Sequence, residues 1–382
     1  MAILALSSIA VLLLLVVPAY RQNAALEQIY GLNDVHITGN RERGPDWLRE
    51  AVGWRDMDWL DVVTSIDLMC SEVSDAQLAQ IANGLPNLEE IRLDDTQVTD
   101  AGVSHLGELK KLSSLDLRET GVTDTGVAHL AKLSNLRHLD LGETSITDAA
   151  LRHVRGLSGL EDFSIDRTRV TDAGLALLQD LTALESLSVA ATAISDSGLA
   201  HLKRFAELRK LSLGKTHVTD AGLTHLEHLT KLYRLELNQT QVTDMGLVHL
   251  RPLTGLLALS LAETQVTDAG LVHLQSLTQL RELSLRGTRV TDSGLAQLER
   301  LTRLRDLSLR YTRVTDAGMT HLQSLPELQS LDLGHTLVTD DSLAILNKLA
   351  RLTYVRLEDT RVTEAGVAEL GQQRPKLTIK AK

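Results

Sequence analysis

One triplet governs this chain: Val-Thr-Asp, or a near copy, stands at Val98, Val122, Ile146, Val170, Ile194 and onward to Val362, always 24 residues apart. A looser copy, Val73-Ser74-Asp75, precedes Val98 by 25 residues, giving thirteen repeats with one irregular junction. A fixed short period argues against ordinary globular domains and for stacked units, each too small to bury its own apolar face. Composition agrees, since aromatics are 3% of the 382 residues while Leu, Val, Ile and Ala recur at fixed positions. Identical layers can fill a core with such side chains alone, and both Phe residues, Phe163 and Phe205, fall on core positions.

Three steps are legible inside a repeat. Leu112, Leu115 and Leu117 form an L-x-x-L-x-L segment whose last part alternates in and out with the period of a strand. Thr120 follows, and the same position is Thr in twelve successive repeats from Thr96 to Thr360. A short hydroxyl there can bond the backbone of its own turn and of the next, satisfying polar groups that a tight bend would bury. Thr123-Asp124 then reads as a helix start, with Thr as N-cap and Asp complementing the helix dipole. Val127, Leu130 and Leu133 predict a short helix of about two turns with one buried face. Gly126 allows close approach of a neighbour, although Ala150 and Ser342 replace it in two repeats.

The pattern L-x-x-L-x-L-x-x-T-x-V-T-D-A-G-L resembles the leucine-rich-repeat family. It is most similar to short bacterial V-T-D-A-G-L repeats and to the cysteine-containing repeats of F-box proteins, departing from common subtypes in placing Thr where they place Asn or Cys. The resemblance covers residues 62–380 and implies an α/β solenoid, with a curved parallel sheet on the concave side and short helices on the convex side. It also implies a protein-binding scaffold. No F-box signature precedes the repeats, so an adaptor role in ubiquitin ligation does not carry over.

The expected organisation is a hydrophobic segment at 1–22, an N-terminal cap at 23–61, repeats at 62–373 and a C-terminal cap strand at 374–382. Trp47, Trp54 and Trp59 all precede the repeats and suit a lid over the first open layer. Residues 41–61 resemble the opening segment of membrane-anchored bacterial members. Residues 2–19 carry no charge and are nearly all apolar, close to the length that spans a bilayer. They predict a single N-terminal membrane anchor; alternatives are an export signal cleaved near Ala19, after Val17-Pro18, or a mis-assigned start.

The net charge of −11 disfavours generic nucleic-acid binding. Cys70 is the only cysteine, which excludes an internal disulfide and a cysteine-rich zinc site. Eight histidines share one repeat position, from His105 to His321. Helices about 8–10 Å apart do not bring neighbouring imidazoles to one zinc, so the column reads as structural. The Asp column, Asp100 to Asp340, reads as helix starts rather than calcium ligands. No cofactor motif or nucleophile elbow is present, and an enzyme is not expected.

Positions free of the packing constraint carry the functional signal. The early concave face is acidic (Asp94, Asp116, Glu119, Asp140, Glu143), and a stripe of serines runs through Ser164, Ser188, Ser212, Ser260, Ser284 and Ser308. Later come Arg281, Arg286, Arg289, Arg305, Arg310 and Arg313 with Tyr311, opposed by Glu282 and Asp306; Tyr233 and Tyr354 also lie on the strand side. Arg and Tyr are enriched at binding hot spots. These nine Arg and Tyr residues read either as a solvated sheet face with incidental charges or as a partner site for an acidic protein segment or an anionic glycan. The competing expectation is a surface-layer component that assembles through its own repeats.

Overall fold

The computed structural model describes residues 17–29, 36–41 and 62–381. The chain forms two compact units, Met1–Leu184 and Glu185–Lys382. Trp47, Trp54 and Trp59 lie outside the described residues.

In the first unit, helix α1 (Val17–Ile29) precedes strand β1 (His36–Arg41), which runs antiparallel to β2 (Val62–Asp67). Strands β3 (Glu90–Arg92), β4 (Ser114–Asp116), β5 (His138–Asp140) and β6 (Asp162–Ser164) then add in parallel. The second unit continues the same grammar from β7 (Ser186–Ser188) to β15 (Thr378–Lys380). Its central residues stand in register, as Leu235, Leu259, Leu283 and Leu307 do, and these four are at most 2% exposed. From β3 onward each strand is three residues long, so one side chain faces the core and two face outward. Phe163 and Phe205 are fully buried.

The repeated polar residues join one layer to the next. Within each unit the Thr hydroxyl, from Thr96 to Thr360, donates to the carbonyl three residues back in its own turn at 2.6–2.8 Å. Its turn is otherwise strained: the preceding residue is left-handed, with φ of 54° at Asp95, 58° at Tyr311 and 52° at Asp359. Only Gly287 supplies a glycine at this position. The cost, about 1–2 kcal/mol per residue, is offset by the Thr bond and by backbone bonds such as Tyr311 N–H to the Gly334 carbonyl at 3.0 Å.

Contacts between repeats come instead from the Asp column. The Thr123 N–H and hydroxyl donate to Asp100 Oδ1 and Oδ2 at 2.7 and 2.6 Å, one layer back. Thr243 bonds Asp220 in the same way. The following glycine gives the clamp room, since a Cβ on Gly222 would collide with Asp196 Oδ1, although the clamp also forms in the repeat that carries Ala150, where Thr147 bonds Asp124. Ser342, which replaces that glycine, instead donates its hydroxyl to Asp316 Oδ1. The helix Asp124–Leu130 ends one residue before Ala131, so Leu133 packs from the turn that follows rather than from the helix.

The expected N-terminal anchor is corrected. No helix among the described residues is long and apolar enough to cross a membrane. Most of 2–19 lies outside those residues, and its last part, from Val17, belongs to the 13-residue α1. That helix carries exposed Arg21 and Glu27 and buries Ala25 and Leu26, packing on the helix Asp75–Gly84. Ala19, the expected cleavage point of the alternative reading, lies inside α1. At the other end, the Arg374 guanidinium donates to the carbonyls of Asn347, Leu349 and Leu352 at 2.8, 3.2 and 2.9 Å, tying the last helix to the preceding repeat.

Candidate functional site: the sheet face of the second unit

The outward side chains of six consecutive strands, β9 (Arg234–Glu236) to β14 (Tyr354–Arg356), line a groove of ≈ 580 Å³. Its floor is low because the register brings Ser260, Ser284 and Ser308 side by side, while Ala258 and Ser330 flank Glu282 and Asp306 in the other outward column. Larger groups stand at both ends. At one, Arg234 reaches across Ala258 to Glu282 at 3.0 Å, and the Ser212 hydroxyl donates to Glu236 at 3.0 Å. At the other, Arg356 donates to the Tyr354 hydroxyl at 3.2 Å and lies 3.5 Å from Asp332, while its buried Nε meets no partner. Burial pushes the Asp306 carboxyl up and Glu282 beside it adds to the effect, outweighing the Ser330 hydrogen bond and Arg305. A groove floored by small groups between charged and aromatic ends can seat an extended polar segment. It has the surface for recognition.

The nine residues expected to form one patch divide by the geometry of a three-residue strand. Arg281 and Arg305 lie at the strand-start edge, where they line a recess of ≈ 390 Å³ with Arg303 and Glu327. Tyr233 occupies the same column and has Lys210 6.0 Å from its ring. Arg286, Arg310 and Tyr311 come together at the opposite edge. There Tyr311 stacks on His335 at 4.1 Å, with the Arg286 and Arg310 guanidiniums 5.5 and 5.1 Å from its ring. Arg289 and Arg313 follow the buried Thr and sit on a further flank, and Tyr354 joins the groove.

Much of the second cluster is neutralised internally. Arg286 pairs with Glu263 at 2.9 Å, and Arg310 crosses two repeats to Glu358, also at 2.9 Å. Gly334 leaves room for that crossing, since a Cβ there would lie 2.8 Å from Arg310 Nη1. The Arg310 hydrogen bond in turn holds the Glu358 carboxyl below its usual range. Arg234, Glu236, Asp332 and Arg356 were missed as site residues. They were findable, because they occupy the same two outward strand positions as the serine stripe.

The first unit's face has a different character. Asp116 and Asp140 are cross-strand neighbours, and burial, reinforced by Asp140 and Asp94, pushes the Asp116 carboxyl up to about 6 against the Arg118 amide and Arg92. On the helix side the histidine column meets the preceding repeat: His249 lies 2.6 Å from Glu227, His321 2.7 Å from Glu299, and His273 2.7 Å from Arg251. Among the described residues no three His, Cys, Asp or Glu side chains are grouped to hold a metal ion.

Residues 108–131, one repeat in length, match a family model described as a leucine rich repeat. An internalin from Listeria monocytogenes has a similar structure, with a TM-score of 0.65 and 24% identity over 88% of this chain and 93% of its own. An LRR protein of Leptospira interrogans follows with a TM-score of 0.57 and 20% identity over 81% of each chain. A TDR receptor gives 0.51 and 16%, over 84% of this chain and 63% of its own. These likenesses are of fold. No curated protein matches the chain. With its 24-residue layers, the chain has the leucine-rich-repeat fold.

Proposed function

We propose that the chain is a non-catalytic scaffold that recognises a protein partner through the sheet face of its second unit. The groove over β9–β14 carries this reading: it is the place where the repeat ceases to dictate side chains and Arg, Tyr and carboxylates gather around a low floor. Tyr354 and Arg356 at one end and Arg234 at the other supply the side chains that anchor protein interfaces. Its lining contains Ser, Asp, Glu, Arg and Tyr but no His or Cys, a composition suited to hydrogen bonding rather than to activating a nucleophile. The groove could accept about seven extended residues along its five strand spacings. The fold is shared with a protein described as a receptor, which is consistent with recognition.

Site-specific photocrosslinking in cells that express the chain tests this. A photoreactive residue replacing Ser284, on the groove floor, is expected to trap a distinct protein, and Tyr354→Ala is expected to abolish the adduct. The same probe at Val272, exposed on the helix side, is the control. Equal adducts from both positions, or adducts only with a second copy of the chain, would overturn the reading.

A further inference from the structure

We infer that the recess at the strand-start edge of the second unit is an anion site for the carboxylates of an acidic segment of the partner. This rests on the protein-recognition reading and adds the chemistry of what is recognised.

The repeat supplies its own comparison. In the column just before each strand, arginines elsewhere face glutamates one repeat away: Arg137 lies 3.7 Å from Glu161, and Arg209 3.2 Å from Glu185. At Arg281 and Arg305 the same column places two arginines in succession, between Leu257 and Gln329. The Arg305 N–H donates to the Arg281 carbonyl at 2.8 Å, so the two backbones are one strand spacing apart, about 4.8 Å. Like charges on neighbouring strands repel. Among the described residues neither guanidinium forms an ion pair.

The surroundings add to the excess. Arg303 supplies a third guanidinium to the recess and donates to the uncharged Gln279 side chain. The one carboxylate lining the recess, Glu327, is already paired with Arg351. Adjacent guanidinium forks match carboxylates in bidentate geometry. The recess also adjoins the groove, because Arg281 and Arg305 directly precede Glu282 and Asp306 of its lining. A segment lying in the groove therefore reaches the recess within a residue or two. The chain's net charge of −11 opposes long polyanions at a distance, favouring a short acidic stretch held by neighbouring contacts.

The test uses the full chain and a fluorescein-labelled hexaglutamate peptide at low salt. Arg281→Gln with Arg305→Gln is expected to weaken binding about tenfold or more and to flatten its salt dependence. The control, Arg289→Gln with Arg313→Gln, removes the same charge from the same repeats on another flank and is expected to change binding less than about twofold. All four side chains are exposed or half-exposed, so folding should survive, as circular dichroism would check. Inorganic phosphate, as competitor, provides a readout that needs no variant: it should displace the peptide from the native chain.

Equal losses in the two double variants, no loss in the first, or no displacement by phosphate would overturn the site. A heparin oligosaccharide that binds more tightly than hexaglutamate and depends on Arg281 and Arg305 would overturn the acidic-peptide assignment. Hexaglutamate binding that persists while the Ser284 crosslink fails would show that the groove reading is wrong and the recess stands.

Discussion

Two aspartates of the same chemistry, Asp100 and Asp116, are driven in opposite directions by their places in the repeat. At Asp100 burial raises the pKa, but hydrogen bonds from Thr123 and Thr125 outweigh it and hold the carboxyl below its ordinary value. Asp316 is lowered in the same way, against burial, by Ser342 and Thr339. Folded pKa values below the unfolded value contribute stability at neutral pH, and that stability is lost as pH falls through the folded value. Asp116 has the reverse sign. Burial first, then Asp140 and Asp94, raise it to about 6, so its ionised form opposes folding above that pH. The opposition fades as pH falls through about 6 toward the unfolded value. Asp116→Asn keeps the acceptor for the Arg118 N–H, 3.0 Å from Asp116 Oδ1, and removes the charge. It should raise the melting temperature at about pH 8, with the gain shrinking below about pH 6. A gain independent of pH would contradict this assignment.

At the scale of elements, stability resides in junctions between layers. Asp220 receives the N–H and hydroxyl of Thr243, so Asp220→Ala removes two charge-assisted bonds and leaves the first N–H of the next turn without its partner. A loss of about 2–3 kcal/mol in chemical denaturation is expected, with faster amide exchange on both flanking helical turns. A loss below about 0.5 kcal/mol would show that the clamp is incidental. The sequence already displayed the strand, the Thr turn and the helix start, because each is written within one repeat. It did not display the carboxylate partner, which lies 23 residues away at Thr243. Nor did it display the left-handed turn, whose usual signature, glycine, is present only at Gly287. Strand length explains the divided site: Arg281 and Arg286 are near in sequence, yet a three-residue strand sets them on opposite edges.

For the whole molecule, repetition makes the scaffold legible and hides what it recognises. Thirteen near-identical layers reveal the fold, whereas a groove exists only through the lateral sum of columns such as Arg234, Ala258, Glu282 and Asp306. Read along the chain, Arg and Tyr stand out and the carboxylates that neutralise them two repeats away do not, as Arg310 and Glu358 show. At the N-terminus, hydrophobicity alone suggested a membrane span over residues 2–19; no helix among the described residues is long and apolar enough to cross a membrane, and α1 packs on the protein through Ala25 and Leu26, beyond that stretch. The most direct measurement is hydroxyl-radical footprinting of the full chain with and without the partner trapped at Ser284. Tyr354, in the groove, should be protected from oxidation, while Met245, 74% exposed on the helix side, should react as before. Protection of Met245 with Tyr354 unchanged would contradict recognition through the sheet face.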